Sequence, residues 1–381
     1  MRPGPARRLP LRELARAALH SHKDMSAAPL TRLPALLFEF GVEPGEVLGR
    51  VGVESATLVE PGSRVAFDQV GQLLVACVEA TGCPHFGLLL GQRAGASAPG
   101  VPAALLDHAE SVGDALRAMV LHLHVHDRGA VLSLTPVERD QVRLAYLIFH
   151  SGTPGAVQMT DAALAIMTAV LRQLCGAKWR PTEVLLPRRR PAQVAPYRAH
   201  FQAPMRFDSP FAALVFPASD LSRRLPGAHS ENRSRVERMI ADIERTQPAT
   251  ATEQVVRVLA RMVMAGPPSG PEVAAALGIS QRRLHERLAA EGTRYSSLLA
   301  DVRCEIARQL LEGTRMPAGE IATALHYGSP GAFSRAFKAW TGVSPRKLRA
   351  EIRPDCHRSP TPTQRHIDHR QTSSESPGTL T

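Results

Sequence analysis

The sequence predicts an α+β domain followed by an all-α domain that contains two helix-turn-helix units. Three observations carry that expectation. From Leu30 to about Gly227, helical periodicity is mixed with short apolar runs bounded by Gly, Pro and charged turns, the pattern of strands packed with helices. Over residues 252–353 the apolar residues recur at helical spacing. Within that second region one short motif occurs twice: Pro271-Glu272-Val273-Ala274-Ala275-Ala276-Leu277 answers Gly319-Glu320-Ile321-Ala322-Thr323-Ala324-Leu325, an internal repeat.

Taken in order, residues 1–28 are rich in Arg and punctuated by Pro, and they read as a disordered basic arm. A DNA-touching arm and a reading frame whose natural start is Met25 stay open beside that. LPALLFEFGV from Leu33 and VGQLLVACVEAT from Val70 carry helical periodicity, FGLLLGQ from Phe86 is a short apolar run, and SVGDALRAMVLHLH from Ser111 is an amphipathic helix. GAVLSLTP from Gly129 and QVRLAYLIF from Gln141 read as two strands joined by the charged turn Glu138-Arg139-Asp140. DAALAIMTAVLRQLCGAKW from Asp161 is a buried helix, and PTEVLLP from Pro181 and ALVFPASDL from Ala213 are short strands. The sum is one α+β domain over residues 29–227 with a single core.

Two clusters in that domain have chemistry of their own. His122, His124, His126 and Asp127 suit a metal either as alternate strand residues or as an i,i+4 helical pair. No further carboxylate or cysteine is placed to complete the set, so we expect histidines lining a helix end, and no metal or other cofactor. Arg188-Arg189-Arg190, between two prolines, either grips an anionic effector or DNA or forms a solvated loop. Residues 228–251 form the linker, with one charged helix whose stripe of Val236, Met239, Ile240 and Ile243 serves as a dimer seam or packs on its own domain.

The region 252–353 opens with TEQVVRVLARMVMAG, ended by Gly266-Pro267-Pro268. After Ser280, an N-cap, the helix QRRLHERLAAEG buries Leu284 and Leu288 and offers Gln281, Arg282, His285 and Glu286 outward. Tyr295–Thr314 is a long helix that holds two units apart. Ser329-Pro330 then starts a last reading helix, with Ala332, Phe333, Ala336 and Phe337 inward and Ser334, Arg335 and Lys338 on the free face. Two such readers on one rod suit successive major grooves, about one helical turn of ~34 Å apart.

Charge agrees with this division. The net +11 is uneven: residues 29–247 hold 22 basic and 21 acidic groups, while 248–353 hold 15 and 9. The second surplus is what a phosphate-tracking surface needs. Five cysteines without a C-x-x-C pair point to a reducing cytoplasm, and no apolar run approaches the ~18 residues of a membrane span. The tail over 354–381 lacks apolar residues to bury and reads as disordered. Its Cys356-His357-Arg358 resembles part of a Pro-Cys-His-Arg alkyl-acceptor motif, but Asp355 replaces the proline. There is no G-x-S-x-G, H-E-x-x-H, P-loop or G-x-G-x-x-G, so no enzyme is expected.

Residues from about 252 to 349 resemble the DNA-binding domain of the AraC/XylS transcription regulators, on Ala332-Phe333-Ser334-Arg335-Ala336-Phe337-Lys338, Trp340-Thr341-Gly342 and Ser344-Pro345. The resemblance implies that Arg282, His285 and Glu286, and Pro330, Gly331, Ser334 and Arg335, face the bases. Gln281, Ser329 and Lys338 complete the expected DNA-binding set. This chain departs from the family at His285-Glu286, where Gln-Arg is common, at His326, where glycine is, and at Gly331, where a polar residue is. More scattered motifs, among them Gly82-Cys83-Pro84-His85-Phe86-Gly87-Leu88 and Pro181-Thr182-Glu183-Val184, resemble the effector domain of AraC regulators related to ornithine-utilisation regulators. That implies a sensing domain and allows a homodimer. The expectation is a cytoplasmic, sequence-specific regulator that binds double-stranded promoter DNA, contacts RNA polymerase, activates, and answers to a small-molecule effector. The alternative, an architectural DNA binder of low specificity, draws on the basic ends, Gly331 and Glu286.

Overall fold

The computed structural model of the protein describes residues 23–352 apart from 61, 99, 101–103, 151, 227–229 and 247. The tail with Cys356 and most of the basic arm lie outside the described residues. Strand β1 (Asp24–Ser26) pairs antiparallel with β2 (Arg64–Ala66), setting Met25 opposite Val65. The arm expected over 1–28 therefore ends sooner than its composition suggested. Met25, Ala27 and Leu30 are buried, and Arg64 donates to Asp24 Oδ1 at 2.8 Å and to the Val125 carbonyl at 2.8 Å.

Helices α1 (Leu33–Glu39), α2 (Pro44–Arg50), α3 (Ser55–Val59), α4 (Phe67–Thr81), α5 (Phe86–Ala94), α6 (Val112–His126) and α7 (Ala156–Cys175) wrap one side of a sheet. The apolar run from Phe86 is helical because α5 lies tightly against α7. A Cβ on Gly87 would stand 2.1 Å from the Gln158 carbonyl oxygen, and one on Gly91 2.4 Å from that of Ala162, so only glycine permits the approach. No single described helix is long and apolar enough to cross a membrane.

The sheet comprises β3 (Ala130–Val137), β4 (Gln141–Ile148), β5 (Glu183–Leu185), β6 (Met205–Arg206) and β7 (Ala212–Pro217) in the order β3-β4-β7-β5-β6. All pairs are antiparallel except β5 with β6. Arg139 and Asp140 turn the β3–β4 hairpin with positive φ of 61° and 53°, the left-handed geometry that tight hairpins require. Short helix α8 (Ala195–Phe201) precedes β6.

Both faces of the sheet are buried. Leu132, Leu144, Tyr146, Leu214 and Phe216 face the helices of the first domain, whereas Val131, Ala145, Leu147, Ala213 and Val215 belong to an apolar cluster shared with the C-terminal helices. Alternation along a strand explains the division. It also explains why QVRLAYLIF, after the half-buried Gln141 and Arg143 at its start, carries no exposed polar position from Leu144 onward: the second domain takes the place of water.

The linker is mostly a helix, α9 (Ser230–Thr246), laid on α6. Three members of its stripe pack on its own chain, Val236 and Ile240 against Leu105 and Val125 with Ile243 beside them, while Met239 is exposed. The histidines help to seat it: His124 Nε2 is 2.8 Å and His122 Nδ1 3.9 Å from Glu244 Oε1. Burial holds the pKa of both imidazoles below the ordinary value, against the pull of Glu244. His126 and Asp127 point elsewhere, into the first core, where Tyr146 donates to Asp127 Oδ2 at 3.0 Å.

Candidate nucleic-acid interface

The C-terminal region comprises α10 (Ala251–Val263), α11 (Gly270–Ala276), α12 (Gln281–Ala290), α13 (Tyr295–Gly313), α14 (Ala318–Ala324), α15 (Pro330–Thr341) and α16 (Pro345–Ile352). The starts of α10, α11, α12 and α15 are chemically marked. Thr250 and Ser269 form capping boxes with Glu253 and Glu272. The Ser280 hydroxyl accepts from the Arg283 N–H at 3.2 Å, and that of Ser329 from Ala332 at 3.1 Å. Ser329 thus caps α15 with the oxygen that was a candidate for DNA contact.

The pairs α11–α12 and α14–α15 are the two helix-turn-helix units. The first turns through Gly278 with φ +66°, and the second through His326 with φ 59°. Left-handed backbone costs a non-glycine residue about 1 kcal/mol. At His326 the ring offsets it, with Nε2 2.9 Å from the Val263 carbonyl oxygen at the end of α10. The departure from the family's glycine is thereby a brace between the second unit and α10.

Leu284, Leu288, Phe333 and Phe337 are buried, as their spacing required. Helix α13 runs between the units, and its 19 residues span about 28 Å at 1.5 Å per residue. Gln281, Arg282, His285 and Glu286 on α12 are exposed, and so are Ser329, Pro330, Gly331, Arg335 and Lys338 at α15; Ser334 is half-buried. A Cβ on Gly331 would meet nothing nearer than Arg335 Nη1 at 3.6 Å, so its smallness leaves room beside that arginine. Arg346 and Lys347, exposed at the start of α16 beside α15, are cations that the sequence reading left out. Their only signal was the short run Pro345-Arg346-Lys347.

Glu286 engages Arg282, Nε to Oε1 at 2.7 Å, with the side chains 89% and 58% exposed for Arg282 and Glu286. The carboxylate thus pairs with an arginine of the expected DNA-facing set, and its own charge is of the sign that repels phosphate. We expect Glu286→Gln to strengthen binding to random duplex roughly two- to tenfold, as read by fluorescence anisotropy. Unchanged binding would place α12 away from the phosphates.

Glu291 ties the end of α12 to the start of α10, accepting from the N–H groups of Ala251 and Thr252 at 2.8 Å each and from Thr252 Oγ1 at 2.6 Å. Burial pushes its pKa up, but these hydrogen bonds outweigh that and hold it below the ordinary glutamate value. A depressed carboxylate stabilises the fold above its unfolded pKa and ceases to do so as pH falls through the folded one. Glu291→Gln should therefore cost about 1–2 kcal/mol near neutral pH, and the loss should shrink below about pH 4. Urea titrations at the two pH values measure both.

A family model described as the arabinose-binding N-terminal domain of AraC transcription regulators matches residues 41–225, and a helix-turn-helix domain model matches residues 273–351. The chain belongs to the AraC family of transcriptional regulators. As an AraC-type chain it joins an effector-binding domain to a DNA-binding one and regulates transcription. Similar full-length relatives include the HTH-type transcriptional regulator VirS of Mycobacterium tuberculosis, 25% identical over 83% of this chain and 93% of its own. The Ornithine utilization regulator of Pseudomonas aeruginosa is 27% identical over 82% and 93%. Among solved structures, the transcriptional regulator CdpR of Pseudomonas aeruginosa is 22% identical, covering 83% of this chain and 98% of that one with a TM-score of 0.40.

Proposed function

We propose that the protein reads promoter DNA with α12 and α15 in successive major grooves, and that a small-molecule effector bound by the first domain biases how the two helices are presented. The observation that carries this reading is the pair of N-capped helices whose outward faces hold Gln281, Arg282, His285 and Glu286 on one, and Pro330, Gly331, Ser334, Arg335 and Lys338 on the other. Ser329 caps the second. The division of labour is 29–227, extended by β1, for sensing, 228–251 for the connection and 252–353 for DNA. Regulation works in the cytoplasm by contact with RNA polymerase, as an activator, and the chain acts as a homodimer.

The shared core supports the coupling. Arg143 donates to the Met264 carbonyl, Gln309 Nε2 to the Ile148 carbonyl at 2.7 Å, and the Arg315 N–H to Asp208 Oδ1 at 2.8 Å. A ligand that prefers one arrangement of the sheet must also prefer one placement of α13.

Arg335→Ala is expected to weaken specific binding by about 1–3 kcal/mol and to relax preference at one base position. Selection from a randomised duplex library, run on both proteins, reads this directly. An equal loss on every sequence would assign Arg335 to phosphate alone.

A further inference from the structure

The seam between the two domains holds a cavity of about 140 Å³, walled by the end of α6 and the start of β3 on one side and by α10 and Leu277, the residue after α11, on the other. Small-molecule sites occur preferentially at such seams. A dry apolar cavity of ~150 Å³ takes benzene, so an occupant here has only a few carbons. The charge of the wall is one-sided. No Asp or Glu lines it, whereas Arg257 and Arg261, one helical turn apart on α10, both do.

These arginines are the polar groups that the wall leaves uncommitted. The ring nitrogens of His124 lie 3.1 Å from the Leu121 carbonyl oxygen and 2.8 Å from Glu244 Oε1. Gln254 donates to the Ala249 carbonyl at 3.1 Å and accepts from Arg287 at 3.4 Å. Among the described residues, neither the Arg257 nor the Arg261 side chain makes a hydrogen bond or an ion pair. None of their nitrogens belongs to the sealed, partnerless atoms of the chain, so both guanidinium groups stay open to a ligand. Both residues are half-buried, and burial lowers the pKa of each from the ordinary arginine value. At Arg261 no carboxylate opposes that. At Arg257, Glu253 and Glu244 do, against the charge of Arg128, but Glu253 accepts from the Thr250 N–H at 2.9 Å and Glu244 is engaged by His124. A guanidinium stays protonated in such a setting, so two of them half-buried side by side favour the arrival of an anion.

Charge and spacing narrow the anion. Residues at i and i+4 on a helix stand roughly 5–6 Å apart, so each guanidinium can take one carboxylate in a forked pair of hydrogen bonds. A monocarboxylate would leave one cation unmatched, and inorganic phosphate would leave the apolar wall of Leu123, Val131, Leu132 and Val258 bare. We propose that the seam cavity binds a short aliphatic dicarboxylate, one carboxylate on Arg257, the other on Arg261 and the carbon chain against that apolar wall. The proposal rests on the effector reading above and names the effector's class and place. Because α6 and β3 belong to the first domain while α10 and Leu277 belong to the second, a diacid held there clamps the first helix-turn-helix unit to the sensor.

The test is isothermal titration calorimetry of the full chain with succinate and glutarate, beside butyrate and valerate, which each lack one carboxylate, and inorganic phosphate. At least one diacid should bind, its monoacid and phosphate should bind at least roughly tenfold more weakly, and Arg257→Gln and Arg261→Gln should each weaken the diacid by a similar factor, as expected for loss of charge-assisted hydrogen bonds. Neither arginine is paired within the chain, so both variants should fold. Leu121→Glu leaves both arginines in place and adds a carboxylate beside the cavity at a residue 58% exposed; it should weaken the diacid as strongly, and it decides the matter should an arginine variant fail to fold. No binding by either diacid, binding equally good with a monoacid or phosphate, or binding indifferent to the arginine substitutions or to Leu121→Glu overturns the proposal. Calorimetry needs no DNA, so its failure is separable from failure of the regulator reading, which would show as absence of specific DNA binding.

Discussion

Phe337→Ala abolishes sequence-specific DNA binding while the first domain stays folded. Phe337 is fully buried, its ring 5.8 Å from that of Phe333, which in turn meets Tyr327 at 5.7 Å. These rings are most of what holds α15 to α14, whose own buried contribution is only Ile321 and Ala322. Truncating a buried phenylalanine costs about 3–5 kcal/mol, comparable to the stability of a small unit against local opening. The second reader therefore frays. Hydrogen exchange should show lost protection over 318–341 with 130–148 unchanged, and gel shifts should show lost specificity. Retained specificity in a protein with frayed α15 would mean that α12 alone selects the site.

Ala213→Glu separates the two domains. Ala213 is fully buried on the face of β7 that belongs to the shared cluster, directly opposite Ala145 in the register with β4. Two alanines side by side leave a shallow place in the sheet, and a glutamate there is both too large and unpaired. Burial of an unpaired charge costs of the order of 3 kcal/mol or more. Since the other face of the sheet keeps its core, separation is the cheaper escape. The expected result is two melting transitions where the parent chain has one, with DNA binding retained and its response to effector lost. A single transition at lower temperature, with coupling intact, would show that the domains do not share stability through this face.

The reading helices were legible because their determinants are local. Ser280 and Ser329 cap, Leu284, Leu288, Phe333 and Phe337 repeat at helical spacing, and the remaining faces are left polar. The strands were legible too, and the buried run from Leu144 to Ile148 in β4, apolar but for the Tyr146 hydroxyl, already held the information that both its faces are covered. What it did not say was by what. The seam joins residues far apart in sequence, Ile148 with Gln309 and Asp208 with Arg315, and no periodicity encodes a pairing of that range. Arg188 illustrates the same limit: three arginines between prolines look like a solvated loop until Asp161, most of helix α7 and strand β5 away in sequence, is found beside the first. Strand β1 was hidden by its neighbours, since Arg and Pro dominate the composition of the first residues while the signal is only Met25 between two polar positions.

The most direct test of the regulator account is a competition gel shift with the full chain on sheared genomic fragments from its source, at near-physiological salt and excess random duplex. Strong and reproducible enrichment of a few fragments, surviving at least a hundredfold or so of competitor, is the predicted result. Uniform retention of all fragments, lost together when salt is raised modestly, would contradict it and leave a low-specificity architectural binder.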